Sequence, residues 1–224
     1  MLDYIRIACA VPSVKVGDVR KNTEDICRMI GQADEKGSDI VLFPELALTG
    51  YTCADLFFQD VLLKAAMDGL RQIAACTAVH PGVTVAVGLP ALIAEQMYNC
   101  AAIVSGGKVH GLVPKTYLPN YNEFYERRWF SSSEDLQVDG VEAADLGLGA
   151  DYTIPVGRDL LFRTGDGCLV GVEICEDLWS VLPPSTFMTI NGAEVVLNLS
   201  ASNETIGKRS YRRSLVQHQS AVCG

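Results

Sequence analysis

Asp39-Ile40-Val41-Leu42-Phe43-Pro44-Glu45 opens on an acid, runs through four apolar residues and ends on a proline and a carboxylate. Apolar residues in unbroken succession read as a short strand buried on both faces. Pro44 has no N–H to offer a ladder and ends the strand, leaving Glu45 at its C-terminal end. Working outward, residues 4–11 read as a strand and residues 19–36 as an amphipathic helix closed by Gly37. A longer helix is expected after Asp55, then a strand over 83–89, and a hairpin pairing 98–104 with 109–114 across S-G-G-K. Further strands are expected at 159–164, 169–174 and 194–199, with a basic helical start at 208–213. Alternation of this kind makes an α/β domain. Residues 131–152, acidic and rich in Gly and Ala, read as a surface loop.

The chain has 224 residues, 49% of them hydrophobic, enough for a substantial core in one domain. A net charge of -9 argues against nucleic acid or an anionic membrane as the main partner. No apolar run reaches membrane-spanning length, and the N-terminus lacks a basic region followed by an apolar stretch, so the expected location is the cytoplasm. The eight cysteines form no C-x-x-C pair and the three histidines no recognisable metal spacing, so no metal site is expected. Seven of the cysteines read as buried free thiols. The turn S-G-G-K superficially matches a phosphate-binding loop, but a strand rather than a helix follows it, so no nucleotide site is assigned there.

The eighth cysteine, Cys175, ends the apolar run L-V-G-V-E-I and precedes two acids, which marks the edge of a sheet. A lone cysteine there is usually core, and a free thiol needs a base or a cation beside it to react. Glu45 offers the base: partial burial would raise its pKa toward the range for taking a thiol proton. Lys115 follows V-H-G-L-V-P in the same manner. Alone it reads as a surface lysine. Placed between Glu45 and Cys175, its ammonium would stabilise an oxyanion. A carboxylate, an ammonium and a thiol at three strand ends are the parts needed to hydrolyse an amide through a thioester.

F-P-E, then K, then C at these separations resembles the nitrilase, or carbon–nitrogen hydrolase, superfamily with its Glu-Lys-Cys triad. The longer stretches F-P-E-L-A-L-T-G-Y-T-C-A-D-L-F, K-T-Y-L-P-N-Y-N-E-F-Y-E-R-R-W-F, C-E-D-L-W and N-L-S-A-S-N-E-T-I-G-K-R are similar to the glutaminase domain of glutamine-dependent NAD synthetases. The resemblance runs from Arg6 to about Gln219 and implies a nitrilase-like α-β-β-α sandwich. It also implies that Cys175 attacks the side-chain amide of L-glutamine while Glu45 moves the proton. Lys115 and a backbone amide near Glu176 would hold the oxyanion. By the same resemblance Tyr121, Ser202 and Lys208 contact glutamine, and Tyr51, Phe124, Glu126, Glu176 and Trp179 line its pocket. Taken alone, the aromatic residues read as core packing and Ser202 as a turn hydroxyl.

The family's C-terminal synthetase domain, which would use ATP and Mg to amidate deamido-NAD, is absent from this sequence, and no cofactor is expected in residues 1–224. The resemblance stops inside an expected helix at Q-H-Q-S-A-V-C-G, which implies a C-terminally incomplete sandwich and assembly as a homo-oligomer. Two other readings are a free-standing amidase for another small amide and a catalytically silent assembly domain. The N-Y-N-E-F-Y-E segment speaks against the first, and intact Glu45, Lys115 and Cys175 against the second.

Overall fold

The computed structural model describes residues 4–149 and 151–224. Its strands are β1 (Ile7–Cys9), β2 (Ile40–Leu42), β3 (Thr84–Ile93), β4 (Gln96–Ser105), β5 (Lys108–Pro114), β6 (Gly140–Glu142), β7 (Thr153–Pro155), β8 (Leu161–Arg163), β9 (Leu169–Ile174) and β10 (Val195–Leu199). The helices are α1 (Val19–Glu35), α2 (Asp60–Val79), α3 (Pro184–Ile190) and α4 (Lys208–Cys223). A five-stranded sheet has the order β1-β2-β3-β4-β5, parallel through β3 and antiparallel beyond it. A second sheet has the order β10-β9-β8, its first pair parallel and its second antiparallel.

The two sheets pack face to face. Ile40, Ala86, Ala101, Ile103 and Val113 of the first meet Val170, Val172, Ile174, Leu197 and Leu199 of the second in one buried cluster. The pleat of β9 explains the division: residues 170, 172 and 174 face the other sheet, while Gly171 and Glu173 face α3. A Cβ on Gly171 would lie 2.7 Å from Met188 Sδ, so α3 seats directly on the strand. On the outer face of the large sheet lie α1 and α2, which bury Ile26, Ile30, Leu70 and Ile73 completely. Each such side chain contributes about 1.5–3 kcal/mol of burial. The α1 apolar positions recur every three or four residues, and the Asp18 side chain caps the helix by accepting from Lys21 N–H at 3.1 Å. The result is the expected α-β-β-α sandwich.

Several local readings change. Strand β3 continues to Ile93 and turns into β4 through Ala94 and Glu95, both at positive φ (48° and 64°). Neither is Asn, Asp or Gly, so the hairpin carried no turn signal. The helix expected after Asp55 begins with a separate 3₁₀ turn, Ala54–Phe58. Residues 131–152 are irregular over much of their length, but β6 pairs with β7, and Ala143 and Leu146 are buried in the core. Of the seven cysteines read as buried, only Cys53 and Cys100 are; Cys9 is exposed on an edge strand and the other four are half-buried. No helix among the described residues is long and apolar enough to cross a membrane.

Candidate active site

After β2 the chain turns at Pro44, with Leu46 at φ 51° and Ala47 N–H donating to the Pro44 carbonyl at 3.3 Å. This turn lies against β3 at Gly88. A Cβ there would stand 2.3 Å from Leu46 N and 2.7 Å from Pro44 O, so only glycine permits the approach. The turn aims Glu45 inward, where it is 2% exposed.

Lys115 follows Pro114 at the end of β5 and is completely buried. Its Nζ donates to Glu45 Oε1 at 2.6 Å and to Glu126 Oε1 at 2.7 Å. Asn99 Nδ2 also donates to Glu45 Oε1, at 2.7 Å, and the Ala201 N–H donates to Glu45 Oε2 at 3.0 Å. Tyr51 OH donates to Glu126 Oε1 at 2.8 Å. One ammonium therefore lies between two carboxylates. Burial alone would lower the Lys115 pKa, but Glu45 and Glu126 together hold it above its usual value. Burial, then the charge of Glu45, pushes Glu126 up to about 7 against the pull of Lys115. Burial and the same two carboxylates raise the Tyr51 phenol.

Cys175 follows β9 and begins a 3₁₀ turn, Cys175–Trp179. Its φ of 46° is left-handed. For a residue with a Cβ this costs on the order of 1–3 kcal/mol and is held by its surroundings. Ser200 Oγ donates to its Sγ at 3.4 Å. Burial, then Glu45, raises the thiol to about 12, against the lowering effect of Lys115. At rest the thiol is protonated, so it could act as a nucleophile only with a neighbouring base to take its proton.

A cleft of about 360 Å³ opens above these groups. Glu45, Cys175, Tyr51, Tyr121, Phe124, Glu126, Glu176, Trp179, Ser202 and Lys208 all line it, together with the 205–207 turn and Tyr211. Every residue singled out from the sequence thus borders the cleft except Lys115, which lies beneath its floor. Tyr121 OH donates to both carboxylate oxygens of Glu176 at 3.0 Å, and burial followed by Glu176 raises its phenol to about 12. Lys208 Nζ bonds the Asn203 side chain and sits 5.3 Å from the Trp179 ring centroid and 5.7 Å from that of Phe124. Glu126 is more than pocket wall, because its Oε1 belongs to the buried network around Lys115.

Sequence reasoning missed Asn99, Ser200 and the Ala201 amide, which contact Glu45 or Cys175. Asn99 carried a usable signal, a buried amide amid the apolar interior of β4. Among the described residues no group of three or more His, Cys, Asp or Glu is placed to hold a metal ion.

A family model described as carbon-nitrogen hydrolase matches residues 6–224. A glutamine-dependent NAD(+) synthetase of Mycobacterium leprae is 38% identical over 222 residues, covering 98% of this chain and 32% of that protein. One from Xylella fastidiosa is 36% identical over 225 residues, covering 100% of this chain and 36% of that protein. The chain therefore spans about a third of the length of these curated relatives. The crystal structure of a glutamine-dependent NAD(+) synthetase from Cytophaga hutchinsonii superposes with a TM-score of 0.80 at 33% identity, over 96% of this chain and 33% of that one. A Nesterenkonia amidase of the nitrilase superfamily matches with a TM-score of 0.77 at 17% identity, over 98% of this chain and 73% of that one, a likeness of fold alone.

Proposed function

The chain belongs to the carbon–nitrogen hydrolase family, and on that premise we propose that it is a glutamine amidohydrolase domain acting through Cys175, Glu45 and Lys115. The observation that carries this reading is the buried Lys115–Glu45 pair, 2.6 Å apart, under a cleft that also presents Cys175. Its 360 Å³ suit a small amino-acid amide. Glu176 and the Lys208 ammonium supply charges of both signs for the two ends of an α-amino acid.

In the proposed reaction the Cys175 sulfur attacks the carboxamide carbon of glutamine and Glu45 takes the thiol proton. The carbonyl oxygen becomes an oxyanion, held by Lys115 and a backbone N–H near Glu176. Collapse breaks the C–N bond, Glu45 returns the proton to nitrogen, and ammonia leaves a glutamyl thioester. Water then loses a proton to Glu45 and attacks the thioester carbon, and the thiolate regains that proton as glutamate departs. The likeness to glutamine-dependent NAD(+) synthetases supports a further reading, in which a synthetase domain uses this ammonia to amidate deamido-NAD. ATP and magnesium would be held by that domain, and no step above passes through them.

The test is intact mass and peptide mapping after exposure to a diazo-ketone analogue of glutamine. One adduct on Cys175, blocked by excess glutamine and lost in Cys175→Ala, is expected. Absence of any adduct, together with no glutamine hydrolysis by a longer form carrying the synthetase region, would sink the glutaminase reading.

A further inference from the structure

Lys115 and Cys175 stand at the ends of strands in different sheets, β5 in the five-stranded sheet and β9 in the three-stranded one. The ladder bonds of each sheet fix distances within that sheet and say nothing about the gap between them. Glu45 with the Ala201 N–H and Tyr121 with Glu176 bond across that gap, but one side chain ties the backbone beside Lys115 to the backbone beside Cys175. Asp177 Oδ1 accepts from the backbone N–H groups of Thr116 at 3.0 Å and Tyr117 at 2.8 Å, the two residues after Lys115. Its Oδ2 accepts from the N–H of Ile174 at 2.9 Å, the residue before Cys175. Asp177 is 2% exposed. No cation lies within salt-bridge distance of it among the described residues. A buried carboxylate so held costs desolvation, and burial raises it to about 7 despite these amides. A merely apolar filler would avoid that cost.

We propose that Asp177 is a positioning residue, a carboxylate clasp that sets the separation between the Lys115 ammonium and the Cys175 thiol across the sheet interface. The proposal rests on the functional reading above. The clasp also bridges into the turn that holds Cys175 at positive φ: Asp177 belongs to that turn and its Oδ2 bonds the residue preceding the cysteine. Without it, no backbone-held bond would join the two strand ends, leaving packing and the side-chain contacts of Tyr121 and Glu45 to set where they lie. A misplacement of about 1 Å between reacting groups costs on the order of 10²-fold in rate.

The test compares wild type, Asp177→Ala, Asp177→Asn, Lys115→Met and the Asp177→Ala/Lys115→Met double variant. Two rates are read per folded molecule: glutamine turnover, and alkylation of Cys175 by iodoacetamide followed by peptide mapping, with exposed Cys9 as internal control. Asp177→Ala should lose about 10²-fold in kcat with KM changed by less than about threefold. Its alkylation rate should change at Cys175 and not at Cys9. Asp177→Asn keeps the shape and the carbonyl that bonds Thr116 and Tyr117, so it should recover part of both rates. Because the clasp acts through the ammonium, the double variant should be slower than Lys115→Met by less than about threefold. Losses that multiply in the double variant, or Asp177 variants that lose only thermal stability, would overturn the proposal. If Asp177→Ala fails to fold, Asp177→Asn with Lys115→Met completes the same cycle. Should neither this chain nor a longer form carrying the synthetase region hydrolyse glutamine, and no diazo-ketone adduct form, the functional reading fails while the alkylation cycle still decides the clasp.

Discussion

Replacing Lys115 by methionine removes one charge from a buried row of three. Its ammonium lies 2.6 Å from Glu45 and 2.7 Å from Glu126, with all three groups 2% exposed or less. At an effective dielectric of about 20 each contact is worth about 6 kcal/mol of gross attraction, and the cost of desolvating the ions takes back most of it. Breaking such a pair costs about 3–5 kcal/mol, because the surviving charge is left unpaired. Here two carboxylates survive, so one of them should hold a proton at neutral pH. That gives the variant a pH signature. Wild type already holds one proton on Glu126 up to about 7, and without the ammonium that proton is kept to higher pH, so the loss of stability should be smallest in mild acid and grow as pH rises above about 7. On the role proposed for Lys115, catalysis should suffer separately: a missing oxyanion donor costs about 2.7–4 kcal/mol, or 10²–10³-fold in kcat, with little change in KM. Urea unfolding at two pH values and steady-state glutamine kinetics measure both effects. Adding Glu126→Gln removes the surplus carboxylate and should restore much of the stability but not the rate. A Lys115→Met variant with wild-type turnover, or a double variant in which rate returns along with stability, would refute the reasoning.

Gly88→Ala should destabilise the fold by more than about 3 kcal/mol, since the new methyl meets the immobile backbone of the Glu45 turn; thermal unfolding reads the loss, and turnover should fall with it because Glu45 is displaced. In wild type, Glu126 holds its proton up to about 7 against a usual 4.5, so this group lowers stability as pH rises through that window. Glu126→Gln should make the stability profile shallower between those pH values, leaving the slope due to Asp177, as measured by urea titration. An unchanged slope would assign it to another group.

The strands were legible wherever an apolar run met a residue that stops a ladder. The run over 39–43 ended by Pro44, and the run L-V-G-V-E-I ended at Cys175, predicted β2 and β9 close to where they lie. The β3–β4 hairpin was not legible, because its turn uses Ala94 and Glu95 at positive φ, held by a long two-strand ladder rather than by their own preference. Short α3 and the burial of Ala143 were missed for a related reason. Neither has a period long enough to register, and both depend on what packs against them.

The sequence by itself determined that a carboxylate, a lysine and a thiol each stand at the C-terminal end of a strand. Prolines and apolar runs act within a few residues and leave little choice there. Only the tertiary structure decided that these ends meet. Nothing local in residues 45, 115 and 175 encodes a distance between them, and Lys115 read in isolation was a surface residue. Packing one sheet on the other, with Gly88 admitting the Glu45 turn and Asp177 bridging the two strand ends, buries the ammonium between Glu45 and Glu126 and opens the cleft over Cys175. The burial that shifts their pKa values, and so their chemistry, exists only once both sheets are in place.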